Sequence, residues 1–303
     1  MQIALKIDVD TLRGTREGVP RLVEVLERAG AQATFLFSLG PDHTGRALRR
    51  IFRPGFFGKV RRTSVVRHYG IRTLLYGVLL PGPHIGRSCA PILREVAARG
   101  FEVGVHVYDH VRWQDGVAAA DSAWTRRELD LAREAFIEVF GMPPVVHGAA
   151  GWQLNDSVPL QQQELGFRYA SDVRGDEPFL PVIGGRVVDV PQIPTTLPTF
   201  DELIGTPELG ERDPVSHLLE VTRRSRRALE VYTAHAELEG GAFLASFERL
   251  LREWRRDGMQ IVDLATAAAS LDHRILPCRT LATGTVPGRS GTLAVEGPPA
   301  ASS

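Results

Sequence analysis

Two short strings hold side chains whose types and spacing suit catalysis with a metal ion. Asp8 and Asp10 stand two positions apart in Ile-Asp-Val-Asp-Thr, so in an extended chain both carboxylates point to the same side. His106 and His110 stand four positions apart, and both imidazoles can reach one cation if the chain turns helical there. One carboxylate with two imidazoles leaves coordination positions for water and substrate, which is typical of a catalytic metal site.

Each pair alone also has a structural explanation, such as a turn after a strand, so residues elsewhere matter. Asp172 comes at the end of a predicted strand over 167–171, and His235 follows a predicted strand over 230–234. Active-site residues of α/β barrels collect at the C-terminal ends of strands. A lone histidine is more often structural, but four coincidences at strand ends favour one functional cluster.

The elements that position these residues alternate between strand and helix. The patterns predict strands over 3–9, 33–39, 101–108, 145–146, 167–171, 230–234 and 260–262. They predict helices over 20–28, 90–99, 124–140, just before Gly166, and over 217–228 and 243–256. Strands separated by single helices pair in parallel. The chain is therefore expected to form a closed or nearly closed α/β barrel, with an open doubly wound sheet as the alternative.

Two segments depart from this alternation. An insertion over about 43–88 is basic and aromatic, and eleven basic residues but no acidic residue lie between Asp42 and Glu95. The segment 277–303 is rich in Gly, Pro, Ser and Thr, which predicts a disordered tail. The expected layout is one catalytic domain over 1–276 that carries the insertion, followed by that tail.

Composition limits the function and the compartment. Of 303 residues 43% are hydrophobic and 24% are charged, which excludes disordered and collagen-like chains. Equal numbers of basic and acidic residues, 36 each, argue against a nucleic-acid partner. Only two cysteines are present, and charged residues interrupt the N-terminal apolar run that a secretory signal needs. The sequence contains no run of about 18 apolar residues, the length that a membrane-spanning helix needs, so the expected compartment is the cytoplasm.

The candidate residues resemble the motifs of the polysaccharide deacetylase, or NodB-homology, family. The family's first motif holds a base and a metal-binding aspartate, which fall on Asp8 and Asp10. Its His-x-x-x-His pair completes the metal site and falls on His106 and His110, while its late motif places a general-acid histidine at His235. The resemblance implies a deformed (β/α) barrel that hydrolyses amides of amino sugars with one divalent ion, either Zn, Mn, Co or Fe.

Longer strings narrow the resemblance to one subgroup of that family, over residues 1 to about 275. These strings occupy residues 7–11, 13–22, 149–152, 192–199 and 235–240. The subgroup removes the formyl group from 4-deoxy-4-formamido-L-arabinose linked to undecaprenyl phosphate, for lipid A modification and polymyxin resistance. A deacetylase of another N-acyl amino sugar is the alternative.

One departure from the family concerns the partner of the base. Many members have an Arg-x-Pro motif whose arginine orients the base, but the corresponding region here reads His-Gly-Ala-Ala-Gly-Trp over 147–152. Asp172 or Arg174 is expected to take over this orienting role. Asp172 is also a candidate for keeping His235 protonated.

A lipid-linked substrate would explain the basic insertion. Arginines interleaved with aromatic and aliphatic side chains can lie at the interface of an anionic membrane, although a solvated basic face is the alternative. The expected membrane or lipid-phosphate contacts are Arg49, Arg50, Arg53, Phe56, Phe57, Lys59, Arg61 and Arg62. The expected partners are thus a polyprenyl-phosphate-linked amino sugar and the cytoplasmic face of the inner membrane.

Other functional classes fit part of the pattern. Two histidines and a carboxylate also suit the Fe(II) of a non-heme oxygenase. A spare carboxylate, Asp8, beside the ligand favours hydrolysis instead, because hydrolysis needs a base to take a proton from water. A catalytically inactive carbohydrate-lipid binding protein is a third class, which the intact set of acid, base and ligand residues disfavours.

Overall fold

A computed structural model describes residues 1–46, 73, 75–204 and 213–300 of the chain. The strands of the main sheet are β1 (Gln2–Val9), β2 (Thr34–Ser38), β3 (Glu102–Val107), β4 (Val146–His147), β5 (Tyr169–Ala170), β8 (Leu229–His235) and β9 (Gln260–Val262). The helices are α1 (Val19–Ala29), α2 (Ile85–Ala98), α3 (His110–Gly116), α4 (Ser122–Phe140), α5 (Ser157–Leu165), α6 (Phe200–Leu203), α7 (Pro214–Arg224), α8 (Leu244–Arg256) and α9 (Leu264–Ala269).

β1 pairs with three other strands of the main sheet, and all but the first of its eight residues are buried. Near-continuous burial is typical of parallel strands covered by helices. β1 pairs in parallel with β8 on one side and with β2 and β9 on the other. The strand order is β5-β4-β3-β2-β1-β8. Because every pairing is parallel, the C-terminal ends of these strands meet at one edge of the sheet.

The helix α1, which connects β1 to β2, begins and ends at residues that its sequence specifies. Pro20 stands in its first turn, where the missing N–H has no helical partner to lose. Gly30 ends the helix in the left-handed conformation, with φ of 58°, and its N–H bonds back to Glu27 and Leu26. One stripe of the helix is buried against the sheet: Val19, Leu22, Val23, Val25 and Leu26.

An extended segment over 191–197 closes the sheet into a deformed barrel. On one side Ala170 of β5 donates its N–H to Pro191 O and accepts from Ile193 N. On the other side the N–H groups of Thr196 and Leu197 bond to Val231 O in β8. Isolated hydrogen bonds, rather than a strand ladder, thus span the gap between β5 and β8. The predicted deformed barrel is confirmed, and an open doubly wound sheet is not what the chain forms.

The C-terminal segment corrects a sequence-based expectation. A second sheet, in the order β11-β10-β6-β7, consists of β6 (Leu180–Ile183), β7 (Arg186–Val187), β10 (Cys278–Gly284) and β11 (Leu293–Pro299). The prediction of a disordered tail is therefore wrong over 278–299. The segment is rich in Gly and Pro, but a few of its apolar residues are buried against the rest of the protein. Leu293 and Ala294 are buried, and Ala294 packs with Val173 and Phe179.

The predicted insertion is described only at its two ends. Residues 47–72 and 74 lie outside the described part of the chain, and α2 begins at Ile85. The predicted membrane contacts Arg49, Arg50, Arg53, Phe56, Phe57, Lys59, Arg61 and Arg62 all fall outside it. Within the described residues, the helices are too short or too polar to cross a bilayer.

Candidate active site

The predicted chemical residues meet at the C-terminal edge of the main sheet. Asp8 lies near the end of β1, directly across the strand pair from His235, the last residue of β8. Asp10 follows β1, His106 lies in β3, and His110 is the first residue of α3. Parallel pairing therefore brings together residues that are more than 220 positions apart in the chain.

Asp10, His106 and His110 form a compact group of potential metal ligands. One ligand atom from each lies within 4.8 Å of the others. His106 Nε2 is 3.3 Å from Asp10 Oδ1, and His110 Nε2 is 3.4 Å from Asp10 Oδ2. The four-residue spacing of the two histidines requires a helical turn at His110, and α3 begins there. Asp109 caps α3 by accepting a hydrogen bond from Arg112 N.

The donor set fits one divalent ion. Beyond the approach of His106, the buried Asp10 Oδ1 has no hydrogen-bond donor among the described residues. Burial opposes the charged form of Asp10, but His110 and His106 outweigh it and hold the pKa of this carboxyl well below its usual value. A carboxylate with two imidazoles accepts Zn, Mn, Co or Fe, so the geometry does not select among them.

Lys6 is the cation beside Asp8. Its Nζ lies 3.7 Å from Asp8 Oδ2 and donates a hydrogen bond to Ser171 O at 2.8 Å. Burial lowers the pKa of Lys6, and the neighbouring Asp8 opposes that effect. Sequence reasoning missed this residue, although Lys6 and Asp8 lie on the same face of the largely apolar strand β1.

The two residues predicted to orient Asp8 have other partners. Asp172 is fully buried and accepts hydrogen bonds from His147 Nδ1 at 2.7 Å and from Ala149 N at 2.8 Å. Arg174 donates to Glu202 Oε1 at 2.5 Å and to two backbone carbonyls. The expected direct pairing of Asp172 or Arg174 with Asp8, and of Asp172 with His235, is thus replaced by contacts that fix neighbouring loops.

Asp201 is the carboxylate that faces His235. Its Oδ1 lies 3.7 Å from His235 Nδ1 and accepts a hydrogen bond from Thr199 Oγ1 at 2.5 Å. Burial by itself lowers the pKa of His235, but the carboxylates of Asp201 and Asp10 outweigh it and raise that pKa to about 9. The neighbouring carboxylates therefore favour the protonated form of His235. The sequence signal for Asp201 is slight: a capping box of Thr199 and Glu202 that starts the short helix α6.

Two buried glutamates fix the loops that carry Asp10 and His235. Glu237 Oε1 accepts hydrogen bonds from Asp10 N at 3.2 Å and from Thr11 N at 2.9 Å. Glu239 accepts from His235 N at 2.9 Å and from Tyr232 Oη at 2.8 Å. Burial raises the pKa of Glu237 to about 8 and that of Glu239 to about 7.

Trp152 stands beside His235 with a strained backbone. Its φ of 53° is the one positive value at a non-glycine position in the described part of the chain. Its ring centroid is 6.4 Å from that of His235. Three cations lie over the indole: Lys6 at 5.4 Å, Arg174 at 5.2 Å and Arg289 at 4.5 Å.

The arrangement supplies the parts of a hydrolytic site. A spare carboxylate, Asp8, precedes the potential ligand Asp10 by two residues, and the imidazole of His235 lies beside Asp8 on the neighbouring strand β8. A candidate base and a candidate acid beside a group of metal ligands suit the addition of water followed by departure of a protonated leaving group.

Comparisons with known proteins agree with this chemistry. The family model described as "Polysaccharide deacetylase" matches residues 2–170. A curated relative from Shewanella sediminis (strain HAW-EB3) is 36% identical over 96% of this chain and 93% of its own length. A second, from Wigglesworthia glossinidia brevipalpis, is 31% identical over 93% of this chain and 98% of its own length. Both carry the name "Probable 4-deoxy-4-formamido-L-arabinose-phosphoundecaprenol deformylase ArnD".

Solved structures show the same fold. A crystal structure assigned as a polysaccharide deacetylase from Mycobacterium smegmatis has a TM-score of 0.64 with 19% identity, and the match covers 94% of both chains. Another assigned to that class, from Pseudomonas aeruginosa PAO1, has a TM-score of 0.55 with 18% identity and covers 88% of this chain and 90% of its own. At these identities the likeness concerns the fold alone.

Proposed function

The chain belongs to the polysaccharide deacetylase family, and on that premise we propose that it is the metal-dependent deformylase of 4-deoxy-4-formamido-L-arabinose linked to undecaprenyl phosphate. It is a hydrolase that acts on an amide C–N bond. The products would be formate and the lipid-linked 4-amino sugar. One observation carries the proposal: Asp8 and His235 are register partners on the adjacent strands β1 and β8, next to the ligand group of Asp10, His106 and His110. The names of the two curated relatives support the substrate.

A divalent ion, when bound by Asp10, His106 and His110, supplies Lewis acidity to the acyl oxygen and to a water molecule. Asp8 accepts a proton from that water as it adds to the formyl carbon. Lys6 keeps the Asp8 side chain in place from within the same strand face. His235 then donates a proton to the sugar nitrogen, so the C–N bond breaks and the amine leaves.

A phosphate on the substrate requires cations near the site, and one cavity offers them. The cavity of about 250 Å³ is lined by Arg13, Arg21 and the carboxylates of Glu17 and Glu237. Arg13 forms an ion pair with Glu17, so Arg21 is the main candidate for a phosphate contact. Gly14, Gly18, Gly240 and Gly241 supply backbone to its walls. Glycine is needed at position 18, because a Cβ there would lie 2.1 Å from Ala236 O. These walls come from the 13–22 and 235–240 strings of the subgroup, together with 241–242, so we propose that this cavity holds the sugar phosphate.

Arg21→Gln tests the phosphate cavity. We expect KM for the lipid-phosphate-linked substrate to rise about tenfold with kcat nearly unchanged, because a charge-assisted contact to phosphate is lost. Arg28→Gln is the matched control, since Arg28 lies in the same helix and pairs with Glu248 at the surface. Equal KM values for both variants would refute this placement of the phosphate.

An exposed apolar turn supports contact with a membrane surface. Leu79 is 75% exposed, and its neighbours Val78 and Leu80 are also exposed. The turn is tied to the site: Gly77 O accepts from Arg46 Nε, and His43 Nδ1 lies 2.6 Å from Asp109, the residue before the ligand His110. We propose peripheral attachment to the cytoplasmic face of the inner membrane, through this turn and the basic residues that follow Arg46.

The proposed product also indicates a physiological role. A free amine on a lipid-carried sugar is cationic at neutral pH, whereas the formamide is neutral. Transfer of such a sugar to lipid A would reduce the negative charge that attracts polymyxin. We therefore propose a role in lipid A modification.

The decisive assay is mass spectrometry of polyprenyl-phosphate-linked formamido-arabinose after incubation with the metal-loaded protein. We expect loss of the formyl mass and release of formate, and the Asp8→Asn protein is the matched control because its metal ligands are intact. The acetamido analogue should react far more slowly. An unchanged formyl substrate, or faster cleavage of the acetyl analogue, would refute the proposed substrate.

A further inference from the structure

We propose that the C-terminal hairpin is part of the catalytic apparatus, in which Arg289 positions Asp201, the carboxylate that faces His235. The inference rests on the proposed amide hydrolysis, because it assigns His235 as the acid. Arg289 is a positioning residue, since it acts through Asp201 and not on the substrate.

The loop between β10 and β11 carries Arg289 toward the site. Its Nη1 lies 3.5 Å from Asp201 Oδ2 and 3.8 Å from Glu202 Oε1, and its side chain is only 19% exposed. The guanidinium carbon lies 4.5 Å from the centre of the Trp152 ring. Arg289 therefore touches two elements of the acid side of the site, the helix α6 and the strained Trp152.

A glycine next to Arg289 allows the loop to approach α6 closely. Gly288 has a φ of 81°, which favours glycine, and a Cβ at this position would lie 2.0 Å from Glu202 O. The approach is thus between two backbones, so no side-chain rearrangement could relieve it. The loop therefore packs against α6 through direct backbone contact.

The helix α6 needs such outside support. It has four residues, too few for a helix to be stable by itself. The Asp201 carboxylate is held between two groups, with Thr199 Oγ1 bonded to Oδ1 and Arg289 facing Oδ2. The same Oδ1 faces His235 Nδ1. Arg289 therefore fixes the side of the carboxylate that is turned away from His235.

The chemistry of arginine suits this position better than that of lysine. A planar guanidinium can lie over an indole face while its N–H groups point outward to carboxylates, whereas an ammonium is a single point charge. Glu202, the second carboxylate near Arg289, is already engaged by Arg174. Asp201 is consequently the partner whose position depends most on Arg289.

A double-mutant cycle between Arg289 and Asp201 tests the proposal in the full-length chain. We expect Arg289→Met to lower kcat by about 30-fold with KM within twofold of the wild-type value, and Arg289→Lys to recover much of the loss. In the Asp201→Asn background, Arg289→Met should lower kcat by less than threefold, because its effect passes through the missing carboxylate. Arg274→Gln is the matched control, since Arg274 pairs with the nearby Asp272 at the surface.

A second variant covers the case in which Arg289→Met fails to fold, which melting curves and metal content would reveal. Gly288→Ala keeps Arg289 but pushes the loop away from α6, so kcat should fall with KM unchanged. The proposal is overturned if kcat stays within threefold of wild type in both variants. It is equally overturned if the loss lies in KM, or if Arg289→Met costs as much without Asp201 as with it.

The outcome is independent of the substrate assignment. If the wild-type protein cleaves an acetylated amino sugar rather than the formylated one, the proposed substrate fails. The same cycle is then measured on the substrate that the wild type does cleave, and its result still decides the role of Arg289.

Discussion

The two sides of the site are built in different ways. The metal side takes Asp10, His106 and His110 from the ends of β1 and β3 and the start of α3, so each proposed ligand lies near the end of a strand or shortly after it. The acid side takes His235 from β8, Asp201 from a four-residue helix and Arg289 from the C-terminal hairpin. The metal side thus consists of elements of the barrel alone, whereas the acid side also depends on α6 and on the C-terminal hairpin.

This difference predicts how substitutions on the two sides of the site affect catalysis. The proposed metal ligands lie in or close to paired strands of the barrel, whose register few substitutions can alter without disturbing the fold. The acid side depends on side-chain contacts between three distant segments. We therefore expect mutations on the metal side to abolish catalysis and mutations on the acid side to reduce kcat only in part.

The largest effect should come from removing a metal ligand. Asp10→Ala leaves two imidazoles without their carboxylate, so metal content should fall well below one equivalent and kcat by more than about a thousandfold. Asp8→Asn is the matched control on the same strand face, and it should keep one equivalent of metal while losing turnover. Metal analysis and kcat on both proteins check this. Full turnover by Asp8→Asn would remove its assignment as the base.

Asp201→Asn should have a smaller effect that depends on pH. In the wild type the pKa of His235 is about 9, so kcat should fall as the pH rises past 9 and the acid loses its proton. Without the Asp201 carboxylate, burial lowers that pKa, so the alkaline limb should move to lower pH and kcat at pH 8 should drop about 10- to 100-fold. A kcat profile from pH 6 to 10 is the measurement, and an unmoved alkaline limb would contradict the pairing.

Lys6→Met tests the link between the two sides. It leaves the buried Asp8 carboxylate without its nearest cation, so the free energy of unfolding should fall by about 3 kcal/mol and kcat by about tenfold. Lys6→Arg keeps the charge and should lie close to the wild type in both properties. Urea unfolding of the three proteins checks the prediction. A Lys6→Met protein with wild-type stability and rate would show that Asp8 needs no cation.

The smallest expected effect concerns the pH dependence of stability. The pKa of the Glu239 carboxyl is raised by burial to about 7 in the folded state, above its ordinary value of 4.5. Its contribution is therefore fully present below pH 4.5 and is lost as the pH rises through 7, by up to about 3 kcal/mol. Glu239→Gln should flatten the decline of the unfolding free energy between pH 5 and 8. Identical slopes in the two proteins would contradict this.

The same division explains what the sequence could predict. The alternation of strands and helices, the barrel, and the metal-side residues Asp10, His106 and His110 depend on short-range patterns, and the structure brings those three together. Lys6 lies two residues from Asp8 in the sequence, so its signal is also short-range. A lysine in an apolar strand does not by itself indicate which group it pairs with. Asp201 and Arg289 could not be found from spacing, because only the tertiary fold brings them to His235.

The hairpin shows why composition misled. Residues 277–303 have the Gly, Pro and Ser content of a disordered segment, yet β10 and β11 pair with each other and β10 pairs with β6. The surface that receives them comes from residues near Val173 and Phe179, about a hundred positions earlier. Disorder predicted from local composition fails where a distant surface supplies the missing apolar contacts.

The central claim is that one divalent ion is bound by Asp10, His106 and His110. The direct measurement is anomalous diffraction from crystals soaked in zinc. The account predicts one strong peak about 2.0–2.2 Å from a carboxylate oxygen of Asp10 and from a ring nitrogen of each histidine. Crystals with bound zinc elsewhere and no peak among these three side chains would contradict it.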